Sequence, residues 1–149
     1  MIITFCGHSN IKLNEIEKLL LKKILIEEIK KDPLTKFYLG GYGNFDNLCL
    51  QILREIKIDF NNIEILFITP YINADYYKLK FAKEYYDDVI FPPLENTPYR
   101  LAIIKRNEWM INSANLVISY VKHSWGGAAK TLEYAKKRKV KVFNIPDLL

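Results

Sequence analysis

The sequence predicts an α/β fold: a single domain built on a doubly wound, mostly parallel sheet flanked by helices. Three observations predict it. Short runs that are apolar on both faces alternate with stretches whose apolar residues recur every three or four positions, the pattern of buried strands between amphipathic helices. All six glycines fall after a strand-like run and before a helix-like one. The chain has 149 residues, 50% hydrophobic and 26% charged, enough for one continuous core, and no internal repeat, low-complexity stretch or linker divides it.

The elements follow in order. Met1 to Cys6 (MIITFC) suits a buried strand, and Lys12 to Lys31 carries Ile16, Leu19, Leu20, Ile24 and Leu25 at helical spacing. Thr35 to Leu39 reads as a second strand, Phe45 to Ile56 as a second helix, and Ile63 to Thr69 as a third strand that stops at Pro70. Tyr76 to Tyr85 is a helix candidate, and Val89 to Phe91 a short strand ahead of Pro92 and Pro93. Arg100 to Ser113 (helix), Asn115 to Val121 (strand), Ala128 to Lys137 (helix) and Val140 to Ile145 (strand) complete the alternation. Right-handed crossovers make such a chain Rossmann-like, with ligands bound beyond the carboxyl ends of the strands.

Composition excludes several classes. A disordered or fibrous chain is ruled out. No apolar run approaches the length of a membrane span, and Met1 to Cys6 lacks the basic leader of a signal peptide. Cys6 and Cys49 stand far apart without a CxxC pair, as reduced thiols do, so a cytoplasmic protein without a metal site or membrane partner is expected. The net charge is +5, with much of the excess in Lys136, Lys137, Arg138, Lys139 and Lys141. One short basic run reads better as the end of a helix complementing its dipole than as a nucleic-acid patch.

Chemistry concentrates after the strands. Gly7 sits in CGHS, Gly40, Gly41 and Gly43 in LGGYGN, and Gly126 and Gly127 in SWGGA. Backbone N–H groups at helix N-termini attract phosphate, and three such turns on one sheet edge point to a phosphate-bearing ligand. The spacing matches neither a GxxxxGK[ST] loop nor GxGxxG, so a nicotinamide or flavin dehydrogenase is excluded and no cofactor is expected. His8 and Ser9, Asn44 and Asp46, Pro70 and Tyr71, and Trp125 with Ala128 share that edge. His8 either contacts the ligand or holds its turn. Asp46 reads as an N-cap-like residue. Trp125 and Tyr71 either stack on a base or wall the core. His123 has nothing further to tie it to the cleft.

The segments ITFCGHS, FYLGGYGNFD, PPLE, AIIKRNEWM and SWGGAAKTLEYAKK, in this order, resemble the SLOG superfamily over nearly the whole chain. That superfamily groups the DNA-processing Smf/DprA proteins with the LOG phosphoribohydrolases, and the likeness is greatest to the short, stand-alone YpsA-like branch. LOG-type enzymes carry PGGxGTxxE and an RKxxM-like helix. Gly126 and Gly127 match the glycine pair, Glu133 the glutamate, and Arg106 and Met110 the arginine and methionine. Trp125 replaces the proline, Ala129 the third glycine and Lys130 the phosphate-binding threonine, with Thr131 one place late. The resemblance implies a homodimeric nucleotide-binding domain over residues 1–149. Within it, Arg106 and Glu133 would hydrolyse the N-glycosidic bond of a nucleoside 5′-monophosphate. Two other functions belong to the same resemblance. One is a non-catalytic sensor or sink for a nucleotide signal; the other is single-stranded DNA binding through the basic run and exposed tyrosines. For the dimer, the helix from Arg100 to Ser113 offers Trp109 and Met110 as either a contact or core.

Overall fold

In the computed structural model, which describes residues 1–71 and 76–149, six strands form one sheet. They are β1 Ile2–Gly7, β2 Lys36–Leu39, β3 Glu64–Ile68, β4 Asp88–Ile90, β5 Leu116–Tyr120 and β6 Lys141–Asn144. Five helices connect them: α1 Glu15–Lys31, α2 Asn44–Asp59, α3 Tyr76–Tyr85, α4 Ala102–Ser113 and α5 Gly127–Lys137. The sheet order is β4-β3-β2-β1-β5-β6 and every pairing is parallel, so "mostly parallel" becomes wholly parallel.

Alternation along each strand sorts the core into two layers. Phe5, Phe37, Leu39, Phe67, Ile118 and Tyr120 face α1 and α2, where they meet Leu21, Leu25, Ile29, Leu53 and Ile56. Cys6 and Val117 face the opposite side, against Ile111 of α4 with Leu132 and Ala135 of α5. Met110 is buried beneath Thr4, and Trp109 stacks on Tyr38 at 5.6 Å, so both belong to the core of the monomer. The chain winds outward from β1 to β4 and then returns to β5 and β6 on the other side. The switch point therefore lies between β1 and β5, where a crevice must open at their carboxyl ends.

Two local expectations are corrected. Helix α1 begins at Glu15, not Lys12, because Asn14 caps it: the Asn14 side chain accepts the Glu17 N–H at 2.8 Å and Glu17 accepts the Asn14 N–H at 3.0 Å. Its buried stripe runs through Glu17, Leu21, Ile24, Leu25 and Ile29, leaving Ile16 and Leu19 exposed. Buried Glu17 also accepts the Tyr120 hydroxyl at 2.6 Å, fastening the start of α1 to the end of β5. The α2 cap is Gly43 at φ 91°, and Asp46 lies three residues into the helix. The thiols of Cys6 and Cys49 are free and buried. No helix among the described residues is long and apolar enough to cross a membrane.

Candidate functional site

A cleft of about 360 Å³ opens at the switch point, between the carboxyl ends of β1 and β2 and the start of α5, with α4 along one side. From the first glycine turn it takes Gly7, His8 and Ser9. Gly7 has no room for a side chain, since a Cβ there would lie 2.4 Å from the Phe45 ring. His8 Nε2 accepts the Lys122 N–H at 3.0 Å, which fixes its proton on Nδ1. Burial, then the neighbouring His123, holds His8 below the usual imidazole range, so it is neutral at pH 7. His123 stacks on His8 with ring centroids 3.7 Å apart, and Trp125 stacks on His123 at 3.9 Å. His8 thus both holds its turn and lines the cleft. Trp125, 68% exposed, ends the pile with one face covered by His123.

The second turn differs from the expectation of a free phosphate cradle. The Asp46 carboxylate folds back onto its own loop, where Oδ2 accepts the Tyr42 N–H at 3.4 Å, and the Gly41 and Gly40 N–H groups also favour its charged form. Asp46 is half-buried and lines the cleft. Burial pushes it up to about 6, against the pull of the Arg106 guanidinium and of these N–H groups. Burial and then Asp46 push the adjacent Cys6 thiol up to about 12, so it stays protonated. Gly43 packs against Ser9, and Asn44 bonds Ile11 and Ser9, so Gly43, Asn44 and Gly41 shape the loop outside the cleft wall.

Arg106 reaches the same floor from α4. It is only 6% exposed; Nη1 donates to the Gly40 and Ile68 carbonyls at 3.1 and 3.0 Å, and Nε to Asn107 at 2.9 Å. No carboxylate lies within ion-pair distance of it and Nη2 makes no hydrogen bond, among the described residues. A Cβ on Gly40 would sit 2.9 Å from the guanidinium carbon, so glycine there makes room for the arginine. Burial lowers the Arg106 pKa from its usual value, with Asp46 acting in the opposite direction.

The third turn is the open one. Gly126 caps α5 at φ 93°, no side chain fills the helix N-terminus, and a Cβ on Gly126 or Gly127 would meet nothing within 4 Å. Gly126, Gly127, Ala128 and Thr131 all line the cleft. Glu133 does not. It lies two residues beyond Thr131, about 200° around the helix, 67% exposed and paired with Lys137 at 3.4 Å. With Lys130 it lines an adjoining groove of about 320 Å³ between α4 and α5, which shares Ile103, Asn107, Gly127 and Thr131 with the cleft but does not include Arg106. Pro70 and Tyr71 also lie outside the cleft lining; Tyr71 stacks on Tyr99 at 4.9 Å. Among the described residues there is no group of three metal-ligating side chains.

Sequence reasoning missed His123, Asn10, Tyr42, Ile103 and Asn107 in the lining. Ile103, Asn107 and Met110 share a helical face with Arg106, spaced i, i+3, i+4 and i+7 from Ile103, so a helical wheel centred on Arg106 finds them. His123 carries no such signal, because the stack with His8 joins residues 115 positions apart in sequence.

Among solved structures the chain is similar to the single-stranded-DNA-binding DNA processing protein A of Helicobacter pylori. The TM-score is 0.63 at 12% identity, over 97% of this chain and 64% of that one. This chain thus spans just under two thirds of that protein's length. A second similar structure, the structural-genomics target TM1055, has a TM-score of 0.55 and 18% identity over 95% and 71% of the two chains. A third, the molybdenum cofactor carrier protein of Chlamydomonas reinhardtii, has a TM-score of 0.54 and 15% identity over 95% and 73%. All three have Rossmann-like folds. The chain has this fold. No family model matches the sequence. No curated protein matches it either.

Proposed function

We propose that the cleft binds a phosphorylated, nucleotide-type small molecule, its phosphate held by the α5 turn and Arg106. One observation carries this reading: among the described residues Arg106, a buried cation, has no carboxylate within ion-pair distance and no hydrogen bond through Nη2, and it shares the cleft with the N-terminus of α5, where no side chain caps the helix. A buried charge without a counter-ion is costly, and an anionic ligand supplies one. The stacked His8 and His123 rings, which line the same cleft, supply a wall for the rest of the ligand; Trp125 lies outside the lining. The chain acts as a sensor or sink in this reading, because the cleft lacks Glu133, the carboxylate matched to phosphoribohydrolases. Pairing of two copies across α4 and α5, where Ile103 and Ile104 are half exposed beside Lys130 and Lys137, completes the proposal.

The test is a thermal-shift and mass-spectrometric panel of nucleoside 5′-monophosphates with wild type and Glu133→Gln. Saturable shifts in both proteins, with every compound recovered intact, are expected. Free base released by wild type alone would restore Glu133 to catalysis, and no shift with any nucleotide would refute the binding reading.

Single-stranded DNA is the second reading, favoured by Tyr42, Tyr99 and Trp125 standing exposed near the carboxyl edge of the sheet. Helix α5 runs away from that edge, however, so Lys136 to Lys139 lie at its far end, apart from these rings. Anisotropy with an oligothymidylate at low salt should show weak binding at most.

A further inference from the structure

Of the three glycine turns that line the cleft, the second and third differ in charge. The α5 turn has unfilled N–H groups and open space at both glycines. The β2–α2 turn already holds an anion: the Asp46 carboxylate accepts the Tyr42 N–H at 3.4 Å, and Asp46 lines the same cleft as Arg106. We propose that Asp46 is a specificity-determining residue that acts as a built-in anion, limiting the cleft to ligands with a single phosphate group and rejecting diphosphates. The inference rests on the binding reading above and goes beyond it, from an anionic ligand to the number of anionic groups admitted.

The physical basis is like-charge exclusion. A first phosphate at the α5 turn meets N–H donors and the Arg106 guanidinium. A second phosphate extending across the cleft toward β2 meets the Asp46 carboxylate, and like charges repel strongly in a partly buried setting. Arg106 cannot offset two phosphates and Asp46 together, since it is a single charge with Nη1 held by carbonyls. On the Asp46 side the cleft favours uncharged donors instead, such as sugar hydroxyls, which a carboxylate accepts well.

The experiment compares adenosine 5′-monophosphate, adenosine 5′-diphosphate and ADP-ribose by calorimetric titration at pH 7.5, with wild type and Asp46→Asn. Asparagine keeps the shape and an acceptor for the loop N–H group, and a single cooperative melting transition verifies folding. Wild type should bind the monophosphate about tenfold or more tightly than either diphosphate, and Asp46→Asn should erase that preference. Wild type binding a diphosphate as tightly as the monophosphate, or Asp46→Asn keeping the same ratio, would overturn the proposal while leaving the cleft a nucleotide site. No binding of any of the three would overturn both.

Discussion

Asp46 shows how one side chain alters what a loop can do. Its carboxyl titrates near 6 in the fold against 3.8 as the ordinary value, because burial disfavours the charged form more than the loop N–H groups and Arg106 favour it. A raised carboxyl pKa means the folded state binds protons more readily than the unfolded chain between those values. The stabilising contribution is therefore complete below about pH 4 and lost as pH rises through 6. Asp46→Asn does not titrate, so its stability relative to wild type should increase by about 2 kcal/mol between pH 4 and pH 8, measured by denaturant unfolding at each pH. His8 titrates in both proteins and cancels from the difference. A flat difference across that range would mean the carboxyl is solvated as an ordinary aspartate. None of this was legible in the sequence, where Asp46 reads as a cap; only the fold shows that Gly43 takes the cap and frees the carboxylate to turn back.

At the scale of elements, the glycine turns look alike in sequence and separate in the structure by what surrounds them. Gly43 and Gly126 cap their helices at nearly the same backbone angles, φ 91° and 93°. A Cβ at Gly43 would lie 2.6 Å from the Ser9 backbone, whereas the α5 turn faces open space. Gly43→Ala should thus lose at least about 2 kcal/mol of stability in thermal or denaturant unfolding. Gly127→Ala, inside the helix and without positive φ, should fold as well as wild type yet bind nucleotide about tenfold more weakly, because its methyl group occupies the phosphate approach. Equal losses of stability in the two variants would count against this division. Strand and helix placement was legible throughout, since a period of two or of 3.6 residues survives in the sequence whatever the tertiary contacts. Helical phase was the weak point. Glu133 matches a motif by spacing, but two residues past Thr131 turn it away from the cleft.

For the molecule as a whole, topology decides where the cleft forms. The reversal of strand order between β1 and β5 opens the crevice, and α4 brings a buried guanidinium into it from 66 residues beyond the Gly40 carbonyl it bonds. The doubly wound sheet could be read from the alternation of apolar runs with helical spacing, and the glycines mark the edge where the crevice opens. The stacking of His8 on His123 and the lack of an ion pair to Arg106 among the described residues could not, because both depend on distances between segments remote in sequence. The central claim is that Arg106 and the α5 turn hold a phosphate. It is tested most directly by calorimetric titration of a nucleoside 5′-monophosphate into wild type and Arg106→Leu. Saturable binding by wild type that falls about tenfold or more in the variant is the predicted result. Equal affinity in a variant that melts as a folded protein, or no binding by wild type, would contradict it.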